Sequence, residues 1–195
     1  KSSNDEYSTV SLDDDQTSNS LKISNFGFSI PTGVTISGIV VDIERSVNKD
    51  TTDTCDSGHP EHHEISYSPV RDAEVKIIDV SGSVVGDNKA TATNYTKIDT
   101  DTYESHGGQT DLWGLTLTPN DINDSDFGVN IKVKKNGDNC GDVEAKIDHV
   151  RITVYYSHPP VASNATASIN ENVPVSVTLA ATDAGEAPAF SIVSG

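Results

Sequence analysis

The amino-acid sequence predicts an all-β protein, an antiparallel sandwich whose strands bury one face and wet the other. Apolar residues recur at period two in the run 34–47, where Ile39, Val41, Ile43 and Val47 alternate with Asp42, Glu44 and Ser46. A second long run, 143–156, alternates in the same way. Gly, Ser, Thr, Asn and Asp are abundant and Met is absent, which is the balance of a turn-rich extracellular β protein.

Taken in chain order, residues 7–12 alternate Tyr, Thr and Ser with Val and read as a short strand ended by the acidic turn Asp13, Asp14, Asp15. A second strand is expected near 21–30, stopping at Pro31, Thr32 and Gly33. The long strand 34–47 follows, and the polar stretch 48–68 leaves the core as a surface excursion. Val75, Ile77 and Ile78 mark the next strand, which Ser81, Gly82 and Ser83 turn into Val84 and Val85. A loose polar stretch then runs to Gly108.

Trp113 and Leu115 are expected in a short strand leading to TPNDIND. There Thr118 is placed to cap a single helical turn, with Pro119 first and Asp121 as its first-turn acid. Phe127, Val129, Ile131 and Val133 alternate with Asn130, Lys132 and Lys134 in a half-buried strand. In the last strand Val143, Ala145 and Ile147 share one parity and Val150, Ile152, Val154 and Tyr156 the other. A bulge around Asp148 and His149 reconciles them.

The chain has 195 residues, enough for a sizeable core. Its formal charge, 13 Lys and Arg against 30 Asp and Glu, is −17, which repels phosphate backbones and anionic headgroups and argues against nucleic-acid or membrane-surface partners. No run reaches the roughly 18 apolar residues of a membrane span, and no basic-then-apolar signal opens the chain, so any export signal or anchor is expected outside it. His158, Pro159 and Pro160 break the pattern at the end of the last strand. We therefore divide the sequence into a sandwich domain, 1–157, and a linker with a partial β module, 158–195.

The segments SNFGFSIPTGVTISGIVVDIERS, GGQTDLWGLTLTPNDINDSDFGV and AKIDHVRITVYY carry a resemblance for the first domain. It resembles a family of β-sandwich domains that recur in phage-associated and large surface proteins. The resemblance implies a jelly-roll-like sandwich with no established catalytic residues and a structural or adhesive role. The chain departs from the family in lacking the Trp-containing strand that commonly precedes a segment like 4–12, and in carrying a loop with Cys and His. The tail, PPVASNATASINENVPVSVTLAATDAGEAPAFSIVSG, resembles the opening of cadherin-like or bacterial immunoglobulin-like tandem repeats, of whose acidic calcium loop it keeps only Asp183 and Glu186.

Few residues carry chemistry. Cys55 and Cys140 lie in polar loops without a CxxC partner; in a secreted sandwich they read as one disulfide between loop tips, against two free thiols. By the chain-entropy model the closed loop stabilises by about 4 to 5 kcal/mol. His59, His62 and His63 form the densest group of candidate ligands for zinc or copper. Asp121, Asp124 and Asp126 are candidates for calcium, although no EF-hand spacing is present. In each case the bland alternative is a solvated polar loop.

Trp113 with Tyr103 is a candidate sugar-stacking pair, weighed against packing of a lone Trp in a β core. Asn94, Asn123 and Asn164 begin N-glycosylation sequons. No GxSxG, HExxH, Cys-His or phosphate-cradling signature occurs, so the chain is read as not an enzyme. The expected function is that of a structural or adhesive module of a long extracellular surface or filament protein. Its partners are neighbouring copies or adjacent repeats, joined head-to-tail by a tail strand docking on an incomplete sandwich. The alternative is a carbohydrate-binding module.

Overall fold

The computed structural model describes residues 5–49, 70–95, 101–136, 143–163 and 180–182, with isolated residues 166, 168, 171, 176 and 178 of the tail. In chain order the elements are β1 (Ser8–Leu12), β2 (Leu21–Ser24), β3 (Thr35–Lys49), β4 (Val70–Ile78), β5 (Val84–Val85), β6 (Thr102–Gly108), α1 (Pro119–Asn123), β7 (Gly128–Lys135), β8 (Val143–Ser157), β9 (Val161–Ser163) and β10 (Ala180–Thr182).

The first eight strands form two antiparallel sheets, ordered β1-β8-β3-β6 and β2-β7-β4-β5. The pairs β1–β8, β2–β7, β3–β6 and β4–β5 are the rungs of one long antiparallel ribbon, rolled until β8 also pairs with β3 and β7 with β4. That is jelly-roll topology, and the expected all-β sandwich is the fold of the chain.

The period-two faces meet between the sheets. Ile39, Val41 and Ile43 from β3 pack with Val75 and Ile77 from β4 and Val129 and Ile131 from β7, all fully buried. Each such side chain contributes roughly 1.5–3 kcal/mol by leaving water. The expected bulge is present: Ile43 faces Val150 and Arg45 faces Ile147, so Asp148 and His149 together oppose Glu44. The helical turn forms as the sequence predicts. Thr118 Oγ1 accepts from the Asp121 N–H at 3.3 Å while Asp121 Oδ2 accepts from the Thr118 N–H at 2.8 Å, and Pro119 opens the turn.

Three expectations fail. The strand expected near 21–30 stops at Ser24, because Asn25 and Gly27 take φ of 62° and 73°. Residues 102–108, read as loose and polar, form β6 and pair with β3 from Ile39↔Gly108 to Arg45↔Thr102. The stretch around Trp113, read as a strand, is a turn: Trp113 has φ of 59° and Gly114 of 70°, and the Asp111 carboxylate accepts from the Trp113 N–H at 2.8 Å. An Asx turn and two left-handed residues cannot continue a ladder. In the tail β9 and β10 pair with each other.

Candidate functional site

Polar side chains gather in two places, one inside the sandwich and one outside it. Inside, Arg45 of β3 forms an ion pair with Asp72 of β4, their side chains 2% and 0% exposed. Tyr95 donates its hydroxyl to the other Asp72 oxygen at 2.8 Å, and its ring lies 4.4 Å beneath the Arg45 guanidinium. Burial, and then the Asp72 charge, push the Tyr95 hydroxyl well above its ordinary pKa, so it stays a donor. His106 of β6 completes the group. Its Nδ1 lies 2.9 Å from the Lys89 carbonyl, which can only accept, so Nδ1 carries hydrogen in this contact. Nε2 then faces Asp72 at 3.4 Å without a hydrogen bond. These four side chains are buried, and they tie one sheet to the other.

Beside them Trp113 is fully buried and donates its indole N–H to the Ile39 carbonyl at 3.0 Å. The close approach needs Gly107, whose φ is 82° and where a Cβ would stand 2.3 Å from the Ile39 oxygen and 2.7 Å from the indole nitrogen. Trp113 is therefore core, and the expectation that it stacks on a sugar is corrected: neither face of its ring reaches solvent.

Outside, on the far face of the β1-β8-β3-β6 sheet, Tyr103 is 44% exposed. Its hydroxyl donates to Glu44 at 3.0 Å and lies 2.8 Å from His149 Nδ1; with its one proton given to Glu44, it accepts from His149. Partial desolvation, reinforced by Glu44, pushes this hydroxyl up. Arg151 reaches from β8 over the Tyr103 ring, 5.6 Å from its centroid, and grips Asp42 through Nε and a terminal nitrogen, each at 3.0 Å. The patch presents an aromatic ring among hydrogen-bonding groups on an open sheet face.

The structure does not assemble the calcium candidates. Asp121 is engaged in the helix cap and Asp124 accepts from the Asp126 N–H, and among the described residues no three His, Cys, Asp or Glu side chains converge as metal ligands. Asn94 is exposed and itself forms an isolated antiparallel bridge with Arg71. The Asn123 amide nitrogen instead donates to the Ile30 carbonyl at 2.9 Å while its oxygen accepts from the Ile30 N–H at 2.7 Å. Cys55, Cys140, His59, His62, His63 and Asn164 lie outside the described residues.

The inner cluster and the partners of Tyr103 were not found from sequence. Tyr103 is 59 residues from Glu44 and 46 from His149, and only the pairing of β3 with β6 and β8 joins them. Two contiguous grooves, of about 700 and 230 Å³, open between the outermost strands β1 and β2; both touch Ser8, Leu21 and Ile147. No protein-family model matches the chain, and no curated protein or solved structure is significantly similar to it.

Proposed function

We propose that the chain is a non-catalytic structural and adhesive module of a long extracellular surface or filament protein, a rigid sandwich that spans distance and meets neighbouring copies or adjacent repeats by strand addition. The observation that carries this function is the inner cluster. Arg45, Asp72, Tyr95 and His106 are buried and bound across the two sheets, so these ionisable groups serve cohesion. The charge of −17 and the resemblance to surface-protein sandwiches support the same role.

A carbohydrate-binding module is the second function, favoured by the exposed Tyr103 with Glu44, His149 and Arg151 around it. A glycan array with the full chain decides between them. No bound glycan, together with a sandwich that survives trypsin intact, is the expected result. Binding that disappears in Tyr103→Ala transfers the function to carbohydrate recognition.

A further inference from the structure

β8 has two edges. Along one it pairs with β3 over its whole length, whereas along the other β1 covers only Val143 to Ile147. Among the described residues no backbone hydrogen bond reaches residues 150–157 on that second side. A half-covered strand leaves N–H and C=O groups directed at a lane, in line with β1, that no other described strand fills. The larger groove runs beside this lane, with Leu21, Ile23, Phe26 and Phe28 on one wall and Ile147 and Ile152 on the other. Unpaired backbone beside alternating apolar walls is what strand addition uses: main-chain bonds supply affinity and side-chain pockets supply specificity.

The chain's own first residues do not suit the lane. In β1 the inward parity is that of Val10 and Leu12; Ser8 and Glu6 line the groove and are polar, and the sequence keeps Asn4 and Ser2 at the same parity. In the tail, by contrast, Val173, Val175, Val177 and Leu179 share one parity and alternate with Pro174, Ser176 and Thr178, of which Ser176 and Thr178 are exposed. An added strand becomes the sheet edge, where a proline is tolerated. The segment ends just before β10, so donating it leaves the β9–β10 pairing intact.

Resting on the structural role proposed above, we propose that the lane beside residues 150–157 of β8 accepts residues 173–179 of a second copy. The sheet is antiparallel throughout, so the donated strand runs in the direction of β1 and enters from the Ser157 end. The acceptor's own tail departs from that same end. Exchange between two copies is therefore reciprocal and closes with two-fold symmetry, in place of an open head-to-tail chain.

The test uses the full chain carrying a benzophenone side chain at position 176, with isotope-labelled and unlabelled copies mixed before irradiation. Expected are crosslinks between labelled and unlabelled copies, landing on peptides that contain residues 149–157 of the strand beside the lane, and a dimer in sedimentation equilibrium. The paired changes Val175→Glu and Val177→Glu abolish the dimer while the unfolding midpoint of the sandwich stays unchanged. Crosslinks confined to single copies, a monomer up to about millimolar concentration, open-ended polymers, or a glutamate variant that dimerises like the parent each overturn the proposal. A monomer that resists trypsin and binds no glycan removes the exchange while leaving the structural role standing.

Discussion

Arg45 and Asp72 form a buried ion pair that crosses from one sheet to the other, with Tyr95 holding the second carboxylate oxygen. Removing one partner strands the other charge out of water. Asp72→Ala is expected to lose about 3–5 kcal/mol of stability, while the double replacement Arg45→Met with Asp72→Leu recovers part of it, because the buried guanidinium is no longer stranded although the Tyr95 hydroxyl still lacks its acceptor. Urea unfolding of the three variants checks this. A loss in Asp72→Ala below about 1 kcal/mol, the range of exposed pairs, contradicts the burial argument.

Trp113 is the only tryptophan in the chain, so its fluorescence reports on one place. Buried against Ile39, it is expected to emit at short wavelength and to resist quenching by iodide until the sandwich unfolds. Trp113→Ala removes both packing and a hydrogen bond and is expected to cost about 3–5 kcal/mol. Ready quenching in the folded protein shows an exposed ring and returns Trp113 to the sugar-stacking candidates.

The turn that places Trp113 has its own pH dependence. Asp111 bonds the Trp113 N–H and sits 2.9 Å from the Lys89 ammonium. Burial raises the Asp111 carboxyl, but Lys89 and the Trp113 N–H outweigh it and hold the group below the ordinary carboxylate range. Lys89 is pushed up, chiefly by its hydrogen bond to Asp111. A lowered carboxyl contributes stability that is present above its unfolded pKa, about 3.9, and is lost as pH falls through the folded value. A raised ammonium contributes stability that is present below about 10.4 and is lost as pH rises through its folded value. The pair therefore stabilises across neutral pH and fails at both extremes. Denaturant midpoints measured from pH 2 to 11 should show Asp111→Asn flattening both limbs; limbs identical to the parent protein show that the pair has no role.

Cys55 and Cys140 are expected to form a disulfide, on an argument from the strands that lead to them. Lys49 pairs with Val143 and Val70 with Lys135, so the stretches holding the two cysteines both spring from one end of the sandwich. From Lys49 and Val143 the chain to each cysteine reaches roughly 20 and 10 Å. Intact mass without reductant should be lighter by two hydrogens than after reduction, and reduction should cost about 4 kcal/mol. Two alkylatable thiols in unreduced protein rule the bond out.

Where one face is apolar, the sequence was legible. The alternation in β3, β7 and β8, the change of parity at Asp148 and the Thr118 cap all follow from short-range patterns. β6 escaped because its inward positions hold Glu104 and His106, which face the polar cluster and break the apolar signal. The Trp113 turn was misread for the opposite reason: its apolar spacing mimics a strand, while a positive φ and the Asp111 side chain set its course. The Tyr103 patch had no local signature, since strand pairing alone brings its members together.

β1 holds β8 through five residue pairs, beginning with Ser8↔Ile147, while β8 runs ten residues further before the chain departs at Ser157. If the molecule bears tension along its chain, the two points of attachment stand about 33 Å apart along the strand direction, with Ser157 leading. Pulled backward from its leading end, β1 peels one pair at a time, because antiparallel bonds lie perpendicular to the strands and the first of them takes the force alone. Single-molecule stretching between the N-terminus and an attachment at Ser157 is expected to show a small, low-force extension ahead of the main rupture, the release of β1. Within the sandwich this strand is a mechanical fuse: it yields ahead of the β8-β3-β6 remainder of its sheet, which goes on carrying the load.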